Sequence, residues 1–141
     1  MNTFLADIGF THPRNKEGIG HKTLFTDGSK WCYPDFYNAQ MVLDAKYKWY
    51  NDWDKVQTKD LYQVISYMHV LDLEKGGYIV PIDWVGKKMP SKTLKGKGGE
   101  MSVYGMNVRC TNDNYSDFSK HMKESENLIK KSIISCLTDN K

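Results

Sequence analysis

Residues 34–48 read PDFYNAQMVLDAKYK, and this stretch decides the fold. From Met41 onward the chain alternates. Met41, Leu43, Ala45 and Tyr47 point one way, and Val42, Asp44, Lys46 and Lys48 the other, which is the period-two pattern of a strand. Asn38, Ala39 and Gln40 supply a turn before it, and Trp31 to Tyr37 reads as the preceding strand. A two-residue turn at Ala39-Gln40 sets Asp35 directly opposite Asp44, whereas a three-residue turn offsets them. Opposed residues in an antiparallel pair have Cβ atoms about 4.5–5.5 Å apart. Two carboxylates at about 5 Å repel by roughly 3 kcal/mol at an effective dielectric near 20. A proton or Lys46 can offset that repulsion, and a divalent cation does so best. Hard oxygen donors on a rigid hairpin suit Mg²⁺, which takes one or two carboxylates together with waters and substrate phosphate.

The reaction class follows from those parts. A carboxylate-held Mg²⁺ activates water and polarises a phosphoryl oxygen. A neighbouring lysine balances the charge that grows on the phosphate. Hydrolysis of a phosphodiester needs these functions and little else. The bland alternative is a surface hairpin with an ordinary cross-strand salt bridge, worth about 1 kcal/mol or less.

The flanking sequence extends the pattern. Thr3 to Phe10 reads as a short strand and His12 to Gly20 as loop. Lys22 to Thr26 reads as a strand ended by the turn pair Asp27-Gly28. Thr58 is placed to cap a helix, with Asp60 complementing the dipole in its first turn. Leu61, Val64, Ile65, Met68 and Leu71 form its apolar stripe, and Gly76-Gly77 is expected to end it. Tyr78 to Trp84 reads as a strand that Pro81 assigns to an edge or a bulge. Ser102 to Cys110 alternates as a further strand. Asn114 or Ser116 opens a last helix with Phe118, Met122, Ile129, Ile133 and Leu137 on one face. Strands, helix, strand, strand, helix is an α/β pattern, a mixed central sheet flanked by helices.

Composition sets the outer limits. The 141 residues make one ordinary domain, with 40% hydrophobic and 13% aromatic residues, too apolar for disorder. Mean hydropathy is −0.63 and no apolar run approaches a membrane span, so no membrane partner is expected. No secretory signal is visible, and three cysteines (Cys32, Cys110, Cys136) without a C-x-x-C pair argue against a disulfide framework. The expected location is the cytoplasm. Net charge is only +3, but residues 85–99 carry Lys87, Lys88, Lys92, Lys95 and Lys97 and no acid. This stretch is either a solvated loop or a segment that follows a phosphate backbone. The cluster Trp49, Tyr50 and Trp53 can stack on bases, but fits a small core or an interface better. His12, His21, His69 and His121 show no metal-ligand spacing.

The spacing P-D-x8-D-x-K resembles the PD-(D/E)xK nuclease superfamily. PDFYNAQMVLDAKYKWY, then KDLYQVISYMHVL, then GGYIVP narrow the likeness to the nuclease subunit of McrBC-type, modified-cytosine-dependent restriction systems. The resemblance covers roughly residues 31–84. It implies a restriction-endonuclease-like core over residues 1–141, either a single nuclease domain or the C-terminal part of a longer nuclease subunit. It implies Asp35 and Asp44 as metal-binding acids, the Ala45 carbonyl as a further ligand, and Lys46 as the catalytic lysine. Gln63 and Tyr67 match the Q-x-x-x-Y helix motif of such nucleases, and at i, i+4 they share a helix face. The implied cofactor is Mg²⁺, with Mn²⁺ as substitute. DNA is the implied substrate, held by Lys48 and by the five lysines of residues 85–99. An AAA+ GTPase is the implied partner, and a homodimer would allow both strands to be cut. One departure is that many members carry a further acid on a helix before the first strand. Here only Asp7, Glu17 and Asp27 precede Asp35, none in a convincing helix. A non-catalytic nucleic-acid-binding or assembly module with the same fold therefore stays open, as does a related metal nuclease such as a junction resolvase.

Overall fold

The computed structural model describes residues 5–11, 22–48, 50, 52–82, 90–107 and 115–138. A two-stranded ribbon, β1 (Lys22–Thr23) with β2 (Trp31–Cys32), leads into a five-stranded sheet. That sheet contains β3 (Phe36–Tyr37), β4 (Met41–Ala45), β5 (Lys75–Ile82), β6 (Lys92–Thr93) and β7 (Glu100–Asn107), in the order β3-β4-β5-β7-β6. The central pairs β4–β5 and β5–β7 are parallel, and the outer pairs are antiparallel. Helix α1 (Thr58–Leu71) makes the crossover from β4 to β5, and α2 (Tyr115–Thr138) follows β7.

Each face of the sheet carries its own core, as a parallel sheet covered on both sides requires. Met41 and Leu43 pack with Phe36, Ile79 and Tyr104 against Ile129 and Ile133 of α2. Val42 points to the opposite face, where Tyr78, Val80, Met101 and Val103 meet Val64, Tyr67 and Met68 of α1. The alternation of β4 is therefore an α/β core flanked by helices, in agreement with the sequence. Of the apolar face expected on α2, Met122 and Leu137 pack at the margin of the core and Phe118 is exposed.

Several boundaries differ from the sequence reading, each for a local reason. Thr3 to Phe10 was expected as a strand, but Ala6–Ile8 is a 3-10 turn, closed by Gly9 in the left-handed region. Leu5 and Phe10 on either side of it, and Ile8 within it, pack into the α2-side core. The Lys22 strand stops at Thr23, whose hydroxyl bonds the Phe25 carbonyl. Trp31 to Tyr37 breaks into β2 and β3 around Pro34, which offers no N–H to a ladder. Met41 to Lys48 keeps ladder pairing only to Ala45. Thr58 is the first residue of α1 rather than its cap, and Gln57 holds that place without a side-chain cap bond. The loop expected at His12 to Gly20 lies outside the described residues.

The largest revision concerns Gly76-Gly77. They do not end α1. Asp72 does, in the left-handed conformation at φ 55°, with Leu73 N–H returning 2.8 Å to the Met68 carbonyl. Gly76 and Gly77 lie inside β5, where close packing excludes any side chain. A Cβ at Gly76 would stand 2.6 Å from Met68 Sδ, and one at Gly77 would collide with the Ser102 carbonyl oxygen of β7. Pro81 also proves to be in a central strand, paired with Met106 of β7. It is tolerated because pairing with β4 ends at Ala45↔Ile79. Ile79 faces β4 by accepting the Lys46 N–H, so by period two the missing N–H of Pro81 falls where β4 has already ended.

Candidate active site

The site forms where β4 runs out. The hairpin register pairs Phe36 with Leu43 and Tyr37 with Val42, so its continuation sets Asp35 opposite Asp44, as the two-residue turn predicts. The turn is closed by Asn38, whose side-chain oxygen accepts the N–H groups of Gln40 and Met41, both at 2.8 Å. Asn38 N–H bonds the Met41 carbonyl, so positions 41, 43 and 45 turn their backbone toward β3. Asp44 thus occupies a non-hydrogen-bonded position, where opposing side chains approach most closely. Buried Phe36, worth about 1.5–3 kcal/mol by its burial, anchors the short strand that carries Asp35.

Asp35 Oδ2 accepts the Ala45 N–H at 2.9 Å. Along a strand the N–H and C=O of one residue face the same side, so the Ala45 carbonyl is directed to the edge that Asp35 occupies. Asp44 is buried at 3% exposure. Burial first, and then the adjoining Asp35 carboxyl, push its pKa up to about 7 against the opposing pull of Lys46. Lys46 Nζ stands 2.7 Å from Asp44 Oδ2. The approach is an ion pair and not an aligned hydrogen bond, for this buried oxygen has no hydrogen-bond partner of regular geometry among the described residues. Burial disfavours the Lys46 ammonium, but Asp44, with Asp60 and Asp35 behind it, outweighs that and holds the group above the usual lysine range.

Helix α1 completes the arrangement. Lys46 Nζ donates to Gln63 Oε1 at 2.8 Å, and Gln63 Nε2 donates to the Tyr67 hydroxyl at 3.0 Å. The i, i+4 pair therefore acts as a strut from the core to the lysine. Lys48 Nζ reaches Asp60 Oδ2 at 2.7 Å and Gln57 Oε1 at 3.0 Å. The buried Asp60 carboxylate also accepts the Tyr50 hydroxyl. Sequence reasoning read Asp60 as a helix-dipole residue and as the first position of the D-x-Y-Q stretch of the resemblance, and gave it no role at the site. Its spacing from Lys46 and Lys48 carried no signal, because the contact is made across the crossover. Tyr78, in register beside Asp44 on β5, was also missed. Burial raises its phenol pKa and keeps the group protonated.

The residues expected as DNA contacts divide. Lys87 and Lys88 lie outside the described residues, as do Trp49, Cys110, His12 and His21. Lys92 stands over the Trp53 ring at 5.9 Å, and Trp53 Nε1 donates to the Pro90 carbonyl at 2.7 Å. This contact is in the loop leading into the N-terminal end of α1. Lys95 and Lys97 instead line a groove of about 540 Å³ with Met68, His69, Asp72 and Glu74, at the other end of α1. The helical rise from Asp60 to Asp72 is about 18 Å, so these two lysines are not gathered with the carboxylates. Of the aromatic cluster, Tyr50 is buried and Trp53 packs against the α1-side core. Tyr47, between the two site lysines, is 90% exposed.

The donor set fits a hard divalent cation. Asp35, Asp44 and the Ala45 carbonyl offer oxygen only, and the buried Asp44 Oδ2 has a lone pair to give. Among the described residues no group of three or more His, Cys, Asp and Glu side chains gathers for a metal. A hard cation held by two carboxylates and one carbonyl would have to complete its shell with water and substrate. Among the same residues no helix is long and apolar enough to cross a membrane. No curated protein and no solved structure matches the chain. Residues 15–81, which enclose Asp35, Asp44, Lys46, Gln63 and Tyr67, match the family model for the McrBC 5-methylcytosine restriction system component, and over that stretch the chain is related to this restriction system.

Proposed function

We propose that this protein is a Mg²⁺-dependent DNA endonuclease of the PD-(D/E)xK type, the cleavage subunit of an McrBC-like restriction system. One observation carries the reading: Asp35 and Asp44 share a hairpin register, and Lys46 Nζ stands 2.7 Å from Asp44 Oδ2. Asp35, Asp44 and the Ala45 carbonyl would hold the cation, with Mn²⁺ as a substitute. When bound, the cation lowers the pKa of a coordinated water and polarises a phosphoryl oxygen. Lys46 orients the attacking water and balances the charge that develops on the phosphate. Gln63 fixes the Lys46 ammonium, and Tyr67 fixes Gln63. Lys48 and Lys92 contact phosphates and carry no sequence information. Recognition of the modified site and translocation fall to a separate AAA+ GTPase subunit in the cytoplasm. Cutting of both strands needs a second active site, from a second copy of the chain.

A second reading, a binding or assembly module that keeps the fold without catalysis, is favoured by the small donor set of two carboxylates. Nicking of supercoiled plasmid in Mg²⁺ or Mn²⁺ separates the two. The nuclease reading expects nicking by the wild type and none by Asp44→Ala or Lys46→Ala. Absence of nicking, together with no heat of Mg²⁺ binding in calorimetry, selects the non-catalytic module.

A further inference from the structure

Asp60 enters α1 in its first turn, where acids ordinarily face water and complement the helix dipole. Here it faces inward and is 4% exposed. Its two oxygens serve two cations. Oδ1 lies 3.8 Å from Lys46 Nζ, and Oδ2 lies 2.7 Å from Lys48 Nζ while also accepting the Tyr50 hydroxyl. Tyr50 packs edge-on against Tyr78, with ring centroids 6.0 Å apart, so the core fixes the donor that fixes Asp60.

We propose that Asp60 is a positioning residue that holds the Lys46 ammonium between β4 and α1 and keeps Lys48 beside it. The consequence for cleavage rests on the nuclease reading; the positioning itself does not. Two ammonium groups brought to one site repel, and a single carboxylate between them offsets that repulsion. Asp60 also compensates Lys46 from the helix side. Without it, Asp44 is the only carboxylate among the described residues in ion-pair contact with Lys46, and the ammonium would move onto the oxygens expected to take the cation. With it, Lys46 stays at its Gln63 partner when Asp44 turns to other work.

Lysine side-chain ¹H–¹⁵N spectra at one fixed pH and low temperature test this directly, because ammonium protons are seen only where partners slow their exchange. Lys46→Met and Lys48→Met assign the signals. Asp60→Asn keeps the volume and removes the charge, so in a folded protein it should abolish the Lys48 signal and shift the Lys46 signal as that ammonium moves onto Asp44. Plasmid nicking should fall about 10–100-fold in kcat, with little change in KM for DNA. A Lys46 signal unchanged in Asp60→Asn overturns the proposal, and so does a wild-type kcat in that variant. If the wild type does not nick but the Lys46 signal shifts in Asp60→Asn, the nuclease reading fails and the positioning role stands. Should Asp60→Asn not fold, Lys48→Met reads the same coupling from the other side. Asp60, released from Lys48, should then turn wholly to Lys46 and sharpen its signal, and no change there overturns the proposal.

Discussion

Lys46 Nζ lies 2.7 Å from Asp44 Oδ2, two residues back along the same chain, yet its regular hydrogen bond goes across to Gln63 of α1 at 2.8 Å. The lysine thus compensates a carboxylate without occupying it in the manner of a full partner. Removing Lys46 has two opposite consequences. Lys46→Ala should eliminate nicking, a loss of about 10²-fold or more. It should also strengthen Mg²⁺ binding, because a positive charge beside a ligand oxygen opposes a cation. Calorimetric titration of wild type, Lys46→Ala and Asp44→Ala measures this. The expected order of affinity is Lys46→Ala, then wild type, then Asp44→Ala.

The Gln63–Tyr67 strut should separate from the metal ligands in its effect. Tyr67→Phe removes the hydroxyl that receives the Gln63 amide and leaves the buried ring in place. Thermal unfolding should show a loss of about 1 kcal/mol, the ordinary net value of such a bond. Mg²⁺ affinity should stay at the wild-type value while kcat falls, because Lys46 loses the brace behind its partner.

Asp60 gives the acid limb of stability. Burial raises its pKa, but the hydrogen bonds from Lys48 and Tyr50 outweigh burial and hold it below the usual carboxylate range. A depressed folded-state pKa contributes stability that is present in full above the unfolded value near 3.8 and is lost as pH falls through the folded one. Urea unfolding from pH 7 down to pH 2 should show the wild type losing more stability below about pH 4 than Asp60→Asn. Parallel curves for the two proteins would remove Asp60 from the explanation.

The split of the basic segment predicts two kinds of lysine. Each phosphate contact removed should lower the slope of log affinity against log salt by about 0.9 on duplex DNA. Lys92→Ala should change that slope and reduce cleavage. Lys95→Ala and Lys97→Ala, about 18 Å of helix away from Asp60, should leave kcat on saturating DNA unchanged. Filter binding across a salt series, beside nicking at saturating plasmid, measures both.

The core of the site was legible in the sequence because it sits on one hairpin. Alternation in Met41 to Ala45 and the Asn38 turn fix which residues oppose, and Asp35 and Asp44 follow by counting. Gln63 and Tyr67 were legible through their resemblance to the Q-x-x-x-Y motif, and the i, i+4 spacing places them on one face. Asp60 was not, since its partners lie on the far side of the crossover and an acid in a first turn has an ordinary explanation. Gly76-Gly77 misled for a related reason. Glycine marks both chain reversals and close strand packing, and only the Met68 and Ser102 contacts show the second. Pro81 read as an edge residue because sequence does not reveal that β4 is shorter than β5.

From Asp35 to Tyr67, the proposed chemical groups lie in a single uninterrupted stretch. The ribbon before it and the basic segment and α2 after it supply none of the proposed metal ligands, nor the lysine and its strut. A change in those flanks therefore reaches the chemistry only indirectly, by unseating the face of β4 that Ile129 and Ile133 cover or by removing a phosphate contact, and never by deleting a ligand.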